Sequence, residues 1–564
     1  MRPDAEWLVT GRIATLAGEE GFGWVEALAV GEGRVLAAGR RAEIEPLAGP
    51  STRAWRLDAG HVVMPAMTDA HIHLTMVAAA RGQVDLSAAS DLEAYLALIG
   101  AAHERLLAAG DRNSWILGHG WSPAHIEGWP DARMLERVAP GRSIALWAHD
   151  HHSRWVSATA LARAGINRDT PDPDGGVIQR DAGGEPIGVL SEAAAGLLDG
   201  VVPLPGGAQL EPQLLALAGD LLALGVVACH DPNELDVDAG VGIAQQVYRG
   251  LAEEGRLPLR IHASIREHHL TAALAAGLRS GDGVAAAAAD DPLARRRAER
   301  YRMGWLKLFA DGSLGSRSAA LLEPYSDAAE RPPTGGPAGM FVAGREELAD
   351  YLRRAWAGGI SAQVHAIGDA AVRLALDLLA GQPPLLLAPR IEHAQLVSPS
   401  DVARFGALDV AASIQPIHLR SDAGMARRSW GERAEHAFPI GGALAGGALV
   451  PFGTDAPVEP IDPWPGIAVA ISRRDPYRPA DQPLGREHAI DLAQALRSAC
   501  LHPALVAGET DRGQLVAGQR ADLLVVPAQL FEPSADAAAV ADTRPLATLL
   551  DGEIVHRDPL FDPL

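Results

Sequence analysis

The sequence predicts an α/β fold with a (β/α)₈ TIM-like barrel at its centre. Three observations predict it. Short apolar runs alternate with Ala/Leu-rich helical stretches through the middle of the chain, which is typical of parallel strands with helices outside. Both ends of the chain instead show short alternating segments. Finally, side chains of metal-ligand type recur at intervals that fit the units of such a barrel.

Composition limits the classes of function. The chain has 564 residues and a formal charge of −22, with 48% hydrophobic and 21% charged residues. This balance indicates a globular protein and argues against binding to nucleic acid or to anionic membrane surfaces, both of which need basic surfaces. No apolar run reaches the roughly 18 to 20 residues of a membrane span. Neither a nucleic acid nor a membrane is therefore expected as a partner.

The expected compartment is the cytoplasm. Cys229 and Cys500 are the two cysteines, too few for a disulfide framework. The first residues, MRPDAEWLVT, lack the basic and then apolar pattern of a signal segment. The sequence leaves the oligomeric state open, a homodimer being one option because barrels of this type often pair.

The two ends of the chain share one character. Residues 1–60 alternate apolar and polar in short stretches, and so do GQLVAGQRADLLVVPA and the hairpin-like DGEIV within residues 510–564. We expect one small β domain built from both ends. The strands predicted between them are Gly225–Cys229, Arg260–Ile265, Gly304–Phe309, Ser361–His365, Arg390–His393, Val410–Gln415 and Leu449–Phe452.

The segment MPAMTDAHIHL contains His71 and His73. Side chains at i and i+2 point the same way on a strand, so one strand end can present both imidazoles to one metal ion. Two ordinary histidines beside a strand are the alternative for this pattern alone.

Four further candidates fall at the ends of predicted strands: Lys307, His365, His393 and Asp455. A barrel of about 250 residues has about 30 residues per unit. His365 and His393 are 28 residues apart, which is one unit, and His393 and Asp455 are 62 apart, which is two. These intervals place the candidates at the ends of strands 4, 5, 6 and 8, with the histidine pair after strand 1.

The interval from His73 to Lys307 is 234 residues, far above the roughly 90 that three units require. About 140 residues are therefore expected to be inserted, most simply across residues 80–204. The barrel would then comprise residues 61–79 and 205–509.

Lys307 is the single lysine among 49 basic residues. A deprotonated lysine reacts with CO₂ to give a carbamate, an anionic ligand with two oxygens that can bridge two cations. Arginine cannot do so, because its guanidinium does not deprotonate in proteins. Lys307 is thus a candidate carbamylated ligand. The alternatives are a lysine retained by chance and a buried lysine in an ion pair.

Several motifs occur together in one order: MPAMTDAHIHL, KLFADGSLGSRSAAL, QVHAIGDAAV, RIEHAQL, FGTDAPVEPIDP and GQLVAGQRADLLVV. With them the chain resembles the amidohydrolase superfamily over nearly its whole length. The similarity is to the YtcJ-like branch, which includes N-substituted formamide deformylases and exoenzyme regulators. The resemblance implies a distorted (β/α)₈ barrel, a small β-sandwich from both termini and an insertion over the active site.

The resemblance also implies a ligand set. His71, His73 and Asp455 would hold one metal, His365 and His393 a second, and Lys307 would lie between them. One or two divalent ions per chain are expected, with zinc the first choice and manganese, iron or nickel the alternatives. Asp455 would also act as the catalytic base, the alternative being an aspartate that caps a helix after a strand.

Four residues are candidates for contact with the substrate. Asp311 and Arg317 follow the lysine strand, and a glycine-rich loop held by a salt bridge is the alternative for them. Trp121 and His152 lie in the insertion and resemble the stretches that line the pocket in this family. For Trp121 ordinary packing is the alternative.

These features predict a metal-dependent hydrolase of a non-peptide carbon–nitrogen bond, an amide or an N-formyl or N-acyl group of a small molecule. Hydrolysis of a lactone, a phosphoester or a cyclic amide is the alternative on the same site, because function depends on the pocket rather than the fold. A non-catalytic scaffold or regulatory protein is the alternative from another class.

Overall fold

The computed structural model describes residues 5–18, 20–126, 129–149, 153–173, 176–203, 207–232, 242–288 and 290–562. It divides into two compact units. One comprises Met1–Thr75 together with Leu214–Leu564, and the other comprises Met76–Gln213. Within the described ranges, no helix is both long enough and apolar enough to cross a membrane.

The larger unit contains a parallel sheet of seven strands in which chain order equals spatial order. Each strand pairs in parallel with the next, so all carboxyl ends lie at one edge. The strands are β1 (Met67–Asp69), β2 (Val226–Asp231), β3 (Arg260–Arg266), β4 (Tyr301–Phe309), β5 (Ala362–Ala366), β6 (Arg390–His393) and β7 (Ala411–Ser413).

The segment 449–452 is hydrogen-bonded at both edges of this sheet. On one side the amides of Ala412 and Ile414, at β7, donate to the carbonyls of Leu449 and Pro451 at 3.0 and 3.1 Å. On the other side the amide of Ala70, just after β1, donates to the carbonyl of Phe452 at 2.9 Å. The α/β architecture is confirmed, and the complete eight-unit barrel stays a prediction.

Helices follow the strands because the intervening segments place apolar residues at helical spacing. In Asp369–Leu379, for example, the buried residues include Val372, Leu376 and Leu379, which are four and three residues apart. The α-helices that lie wholly in the larger unit are Arg41–Ile44, Gly242–Glu253, Leu270–Ala275, Pro292–Ala298, Arg345–Ala357, Asp369–Leu379, Pro399–Val402, Arg404–Ala407, His418–Trp430, Ile440–Ala445, Trp464–Ser472, Leu492–Cys500, His502–Val506 and Ala537–Ala541.

A second sheet of the larger unit combines strands from both ends of the chain. Its core joins Trp7, Val9 and Leu28 from the N-terminal strands with Leu523 and Val525 from the C-terminal part. The eight-stranded sheet is mixed, and the sandwich arrangement stays a prediction. Its strands are Ala5–Ala14, Trp24–Gly31, Arg34–Gly39, Ala48–Arg56, His61–Pro65, Leu523–Pro527, Ala547–Leu550 and Glu553–Arg557.

Buried ion pairs connect this terminal sheet to the parallel sheet. Arg260, the first residue of β3, pairs with Asp522 at 3.0 Å and also contacts Asp551. Arg300, just before β4, pairs with the same Asp551 at 3.2 Å. All four side chains are almost fully buried, so each charge depends on its partners for solvation.

The smaller unit has its own sheet and core. Six strands pair in one sheet around buried aromatic residues that include Trp121 and Trp155. The strands are Val84–Asp85, Ile116–Trp121, Ile144–Ala148, Ser153–Val156, Gly176–Arg180 and Pro186–Glu192, and the helices are Leu92–Ala108, Ala132–Val138 and Ala158–Arg163. Helices Leu74–Ala80 and Gly207–Ala223 cross the boundaries between the units.

We expect the substitution Asp551→Asn to destabilise the larger unit by about 3–5 kcal/mol, because it leaves two buried guanidinium groups without their shared anion. Glu532→Gln removes the exposed ion pair with Arg12 and should cost no more than about 1 kcal/mol. Urea unfolding followed by tryptophan fluorescence measures both. Equal, small losses of unfolding free energy in the two variants would show that the buried ion pairs contribute no more to stability than the exposed pair does.

Candidate metal centre

The candidate ligands lie at the carboxyl edge of the parallel sheet. His71 and His73 follow β1, and His365 and His393 lie at the ends of β5 and β6. Asp455 follows the segment 449–452, which adjoins β1. In an α/β fold this edge is where ligands bind, so the topology gathers side chains that are far apart in sequence.

The carboxylate of Asp455 is the centre of this group. Its Oδ1 lies 3.0 Å from Nε2 of His73 and 3.3 Å from Nε2 of His71. Its Oδ2 lies 3.1 Å from Nε2 of His418 and 3.9 Å from Nδ1 of His393. One buried carboxylate therefore faces four imidazoles. Burial opposes its charge, but the charge of His71 and the hydrogen bonds from His418, His71 and His73 hold its pKa well below the usual range.

His365 and Lys307 adjoin the same group. The ring centroid of His365 lies 4.5 Å from that of His393, which in turn lies 5.0 Å from that of His71. Lys307 is fully buried on β4, and its Nζ lies 4.9 Å from the ring centroid of Phe309. The structure thus brings all six predicted ligands to one edge of the sheet.

Burial lowers the pKa of the two imidazoles farthest from Asp455. The pKa of His365 falls to about 3, first through burial and then through the charge of Lys307. The pKa of His393 falls well below the usual range, through burial and the neighbouring His365. Both rings are therefore neutral at pH 7, and the neutral imidazole is the form that binds metal ions.

These residues fit a divalent metal. Nε2 of His71 and Nδ1 of His393 are buried and accept or donate no hydrogen bond within the described part of the chain. Together with a carboxylate oxygen of Asp455, ligand atoms of these residues lie within 4.8 Å of one another. Buried polar atoms that form no hydrogen bond are costly, and a cation bound between them would remove that cost.

Two of the candidate ligands have backbone angles that are uncommon for their residue types. His393 has φ 72° and Asp455 has φ 61°, values uncommon for residues other than glycine and often found at functional sites. Gly453 allows the close approach of the Asp455 segment to β1, because an added Cβ there would lie 2.5 Å from the amide nitrogen of His71. The amide of Asp455 donates to the carbonyl of His71 at 2.6 Å.

Asp69 joins the same two segments through hydrogen bonds. Its carboxylate accepts hydrogen bonds from the hydroxyl and amide of Thr454, at 2.6 and 3.0 Å, and from the amide of His71 at 3.1 Å. Burial raises the pKa of Asp69 to about 6 despite these bonds. Asp69 thus orients the ligand segments and offers no free oxygen pair to an ion.

Sequence reasoning missed Glu392 and Arg390. Oε2 of Glu392 lies 2.5 Å from Nδ1 of His71, and Oε1 lies 2.6 Å from Nε of Arg390. Burial opposes the charge of Glu392, but Arg390 outweighs it and the pKa falls to about 2. A carboxylate on Nδ1 directs Nε2 toward the ion, as is usual for metal-binding histidines. The RIEH motif could have indicated this pair, since its i, i+2 spacing puts Arg390 and Glu392 on one side of β6.

His418 and Glu459 were also missed. His418 begins the helix His418–Trp430, and its Nδ1 lies 3.6 Å from Glu459 while its Nε2 contacts Asp455. Burial lowers the pKa of His418, but its hydrogen bonds to these two carboxylates raise it to about 10. No spacing rule identifies His418, because it approaches Asp455 from a helix rather than from a strand end.

The predicted substrate-contact residues have other partners. Asp311 accepts hydrogen bonds from the amides of Ala320, Ile367 and Gly368 at 2.9–3.0 Å. Burial raises the pKa of Asp311 to about 7. This carboxylate therefore organises the loops that follow β4 and β5, and its contact with substrate stays a prediction.

Arg317 and Trp121 are similarly engaged. Arg317 forms a two-point ion pair with Asp327 at 2.7 and 3.0 Å. Trp121 is fully buried in the core of the smaller unit and donates to the carbonyl of Leu146 at 2.9 Å. These contacts agree with the alternatives given for the two residues, a loop held by a salt bridge for Arg317 and ordinary packing for Trp121. His152 lies outside the described residues.

Comparison with known proteins identifies the same family as the motifs. The sequence profile described as "Amidohydrolase family" matches residues 59–556. A Bacillus subtilis (strain 168) protein that carries the name "Putative amidohydrolase YtcJ" is 30% identical over 540 residues, covering 94% of this chain and 96% of its own. The N-substituted formamide deformylase of Arthrobacter pascens is 27% identical over 525 residues, covering 89% and 90%.

A solved structure agrees. The crystal structure of an uncharacterized metal-dependent hydrolase from Pyrococcus furiosus superposes with a TM-score of 0.70 at 26% identity, covering 92% of this chain and 98% of that one. The resemblance to the YtcJ-like amidohydrolases is thereby confirmed.

Glu392→Gln is expected to weaken metal binding by 10- to 100-fold, because the neutral amide no longer polarises His71. Competition with a chromophoric chelator measures the dissociation constant. Glu299→Gln, which removes an exposed partner of Arg520, is the matched control and should bind metal as the wild type does. Unchanged metal affinity in folded Glu392→Gln protein would contradict the assigned role of Glu392.

Proposed function

The chain belongs to the amidohydrolase family, and on that premise we propose that it is a metal-dependent hydrolase of a non-peptide carbon–nitrogen bond in a small molecule. The observation that carries the proposal is the convergence of His71, His393 and Asp455, whose ligand atoms lie within 4.8 Å of one another and include two buried imidazole nitrogens without hydrogen bonds among the described residues.

We assign the ligands as the resemblance implies. His71, His73 and Asp455 would hold one divalent ion, His365 and His393 a second, and Lys307 would join them as a carbamate. Zinc is the proposed metal, with manganese, iron or nickel as alternatives. When bound, the ions supply a hydroxide at neutral pH and a polarised substrate carbonyl.

Asp455 carries the proton in this proposal. As the attacking water adds to the carbonyl carbon, the Asp455 carboxylate takes its proton, and the same proton passes to the nitrogen when the C–N bond breaks. A carboxylic acid and an amine result. His418 holds Oδ2 of Asp455 at 3.1 Å, so the carboxylate cannot rotate away from His71 and His73.

We further propose that the inserted segment, predicted as residues 80–204, covers the site and excludes water, as mobile lids do. Residues Met76–Gln213 form a compact unit of their own, which agrees with an insertion close to the predicted bounds. We propose a cytoplasmic protein, because two cysteines are too few for a disulfide framework and both are free thiols in the structure.

An amide or N-formyl group is the favoured bond because a relative at 27% identity is named an N-substituted formamide deformylase. Lactones, phosphoesters and cyclic amides remain the alternatives on the same site. A non-catalytic role is not favoured, because a scaffold has no need to keep six ligand-competent side chains at one sheet edge.

Metal-replete protein should hydrolyse members of a library of N-formyl and N-acyl amines, and removal of metal by a chelator should abolish the activity. Turnover of lactones or phosphoesters instead would favour the alternative chemistry. The double variant His71→Ala/His73→Ala is the control for contaminating hydrolases. Full activity in protein shown to be free of metal would contradict metal dependence.

Lys307→Arg should abolish activity although it keeps the positive charge, because a permanent cation would face the metal ions. Lys307→Ala should also be inactive, and a short carboxylate such as formate or acetate should partly restore turnover by filling the bridge. Arg302→Lys, on the same strand β4, is the matched control and should be active. Near-normal turnover of Lys307→Arg with full metal content would show that the lysine is structural.

A further inference from the structure

A second group of metal-ligating side chains lies outside the candidate metal centre. His436, Glu487 and His488 offer three ligand atoms within 4.8 Å of one another. Oε1 of Glu487 lies 3.7 Å from Nδ1 of His436 and 3.5 Å from Nε2 of His488. Neither the sequence motifs nor the proposed reaction involves these residues.

His488 has an unsatisfied nitrogen that faces this group. The residue is only 9% exposed, and its Nε2 is buried without a hydrogen bond in the described part of the chain. Burial, followed by the nearby charge of Arg473, lowers the pKa of His488 to about 4. The ring is therefore neutral at pH 7 and can bind a metal ion.

The backbone already holds the three residues in place. His436 ends one short 3₁₀-helix, and Glu487 and His488 belong to another, Arg486–His488. The two are joined by a hydrogen bond from the amide of Gly485 to Oε2 of Glu435 at 3.0 Å. Arg473 donates to the carbonyl of Ala437 at 2.8 Å, so the chain after His436 is anchored as well.

The spacing suits a tetrahedral ion. Zinc–ligand bonds of about 2.0–2.1 Å put neighbouring ligand atoms about 3.3–3.4 Å apart, a few tenths of an ångström less than the two separations from Glu487. The imidazole nitrogens of His436 and His488 lie within 4.8 Å of each other. The side chains of His436 and Glu487 are 40% and 65% exposed, which leaves them room to rotate toward an ion.

We propose that His436, Glu487 and His488 bind one divalent transition metal ion such as zinc, with water as the fourth ligand. The ion would tie the 431–436 helix to the 486–488 helix. The amide of Phe438 donates to the carbonyl of Gln395 at 2.6 Å, two residues beyond His393, so the tie would brace a segment that supports the candidate metal centre. Its role would be structural.

The test counts zinc bound to the full-length protein at micromolar free zinc. His436→Ala and Glu487→Gln change exposed side chains and should fold normally. Each should bind one equivalent fewer than the wild type, or bind it at least about tenfold more weakly. His61→Ala is the matched control, because His61 pairs with Asp58 at 2.7 Å but has no third ligand within the described ranges.

A second measurement separates this ion from one at the candidate metal centre. The His71→Ala/His73→Ala protein keeps His365 and His393, the proposed ligands of the second ion, so its zinc-dependent rise in thermal midpoint should become smaller, though it need not vanish, when His436→Ala is added. Equal zinc stoichiometry and affinity in the wild type and both single variants would overturn the proposal. So would a loss in one variant only, or an equal loss in His61→Ala.

Discussion

The contact between Asp455 and the His71–His73 pair is the interaction on which the candidate site depends. These residues are separated by about 380 positions in the chain, yet side-chain contacts and backbone hydrogen bonds join them. The contact also fastens the segment 449–452 to β1. A glycine at 453 permits the approach, and Asp69 locks it through Thr454. The same contacts therefore set the positions of the candidate ligands and join the segment 449–452 to β1.

A polar network beneath the site supports the same geometry. Arg390 is fully buried, contacts Glu392, and donates to His230 at 2.9 Å and to the carbonyl of Ala70 at 3.0 Å. Its guanidinium also lies 4.1 Å from the centre of the Trp305 ring. A buried charge is stable only where its partners are fixed, so this arginine holds Ala70 and residues of β2, β4 and β6 in one arrangement.

Much of this could be predicted from the sequence where local pattern decides the outcome. The bounds of β6 agree with the predicted strand Arg390–His393, because the short local pattern and the preceding proline determine them. The gathering of the six candidate ligands followed from strand-end spacing. Glu392 could have been inferred from RIEH. His418 could not, since its approach depends on how a helix packs after β7, and the hydrogen bonds of Asp311 depend on loop paths that no periodicity encodes.

The pairing of both chain ends in one sheet has a consequence for synthesis. Strand His61–Pro65 pairs with Ala5–Ala14 on one side and with Leu523–Pro527 on the other. At about 5–20 residues per second, the ribosome needs some tens of seconds after making His71 before Asp455 exists, and longer before the C-terminal strand emerges. During that interval the nascent chain carries an open sheet edge and two imidazoles without their carboxylate. Chaperone engagement during that interval should therefore favour correctly assembled protein.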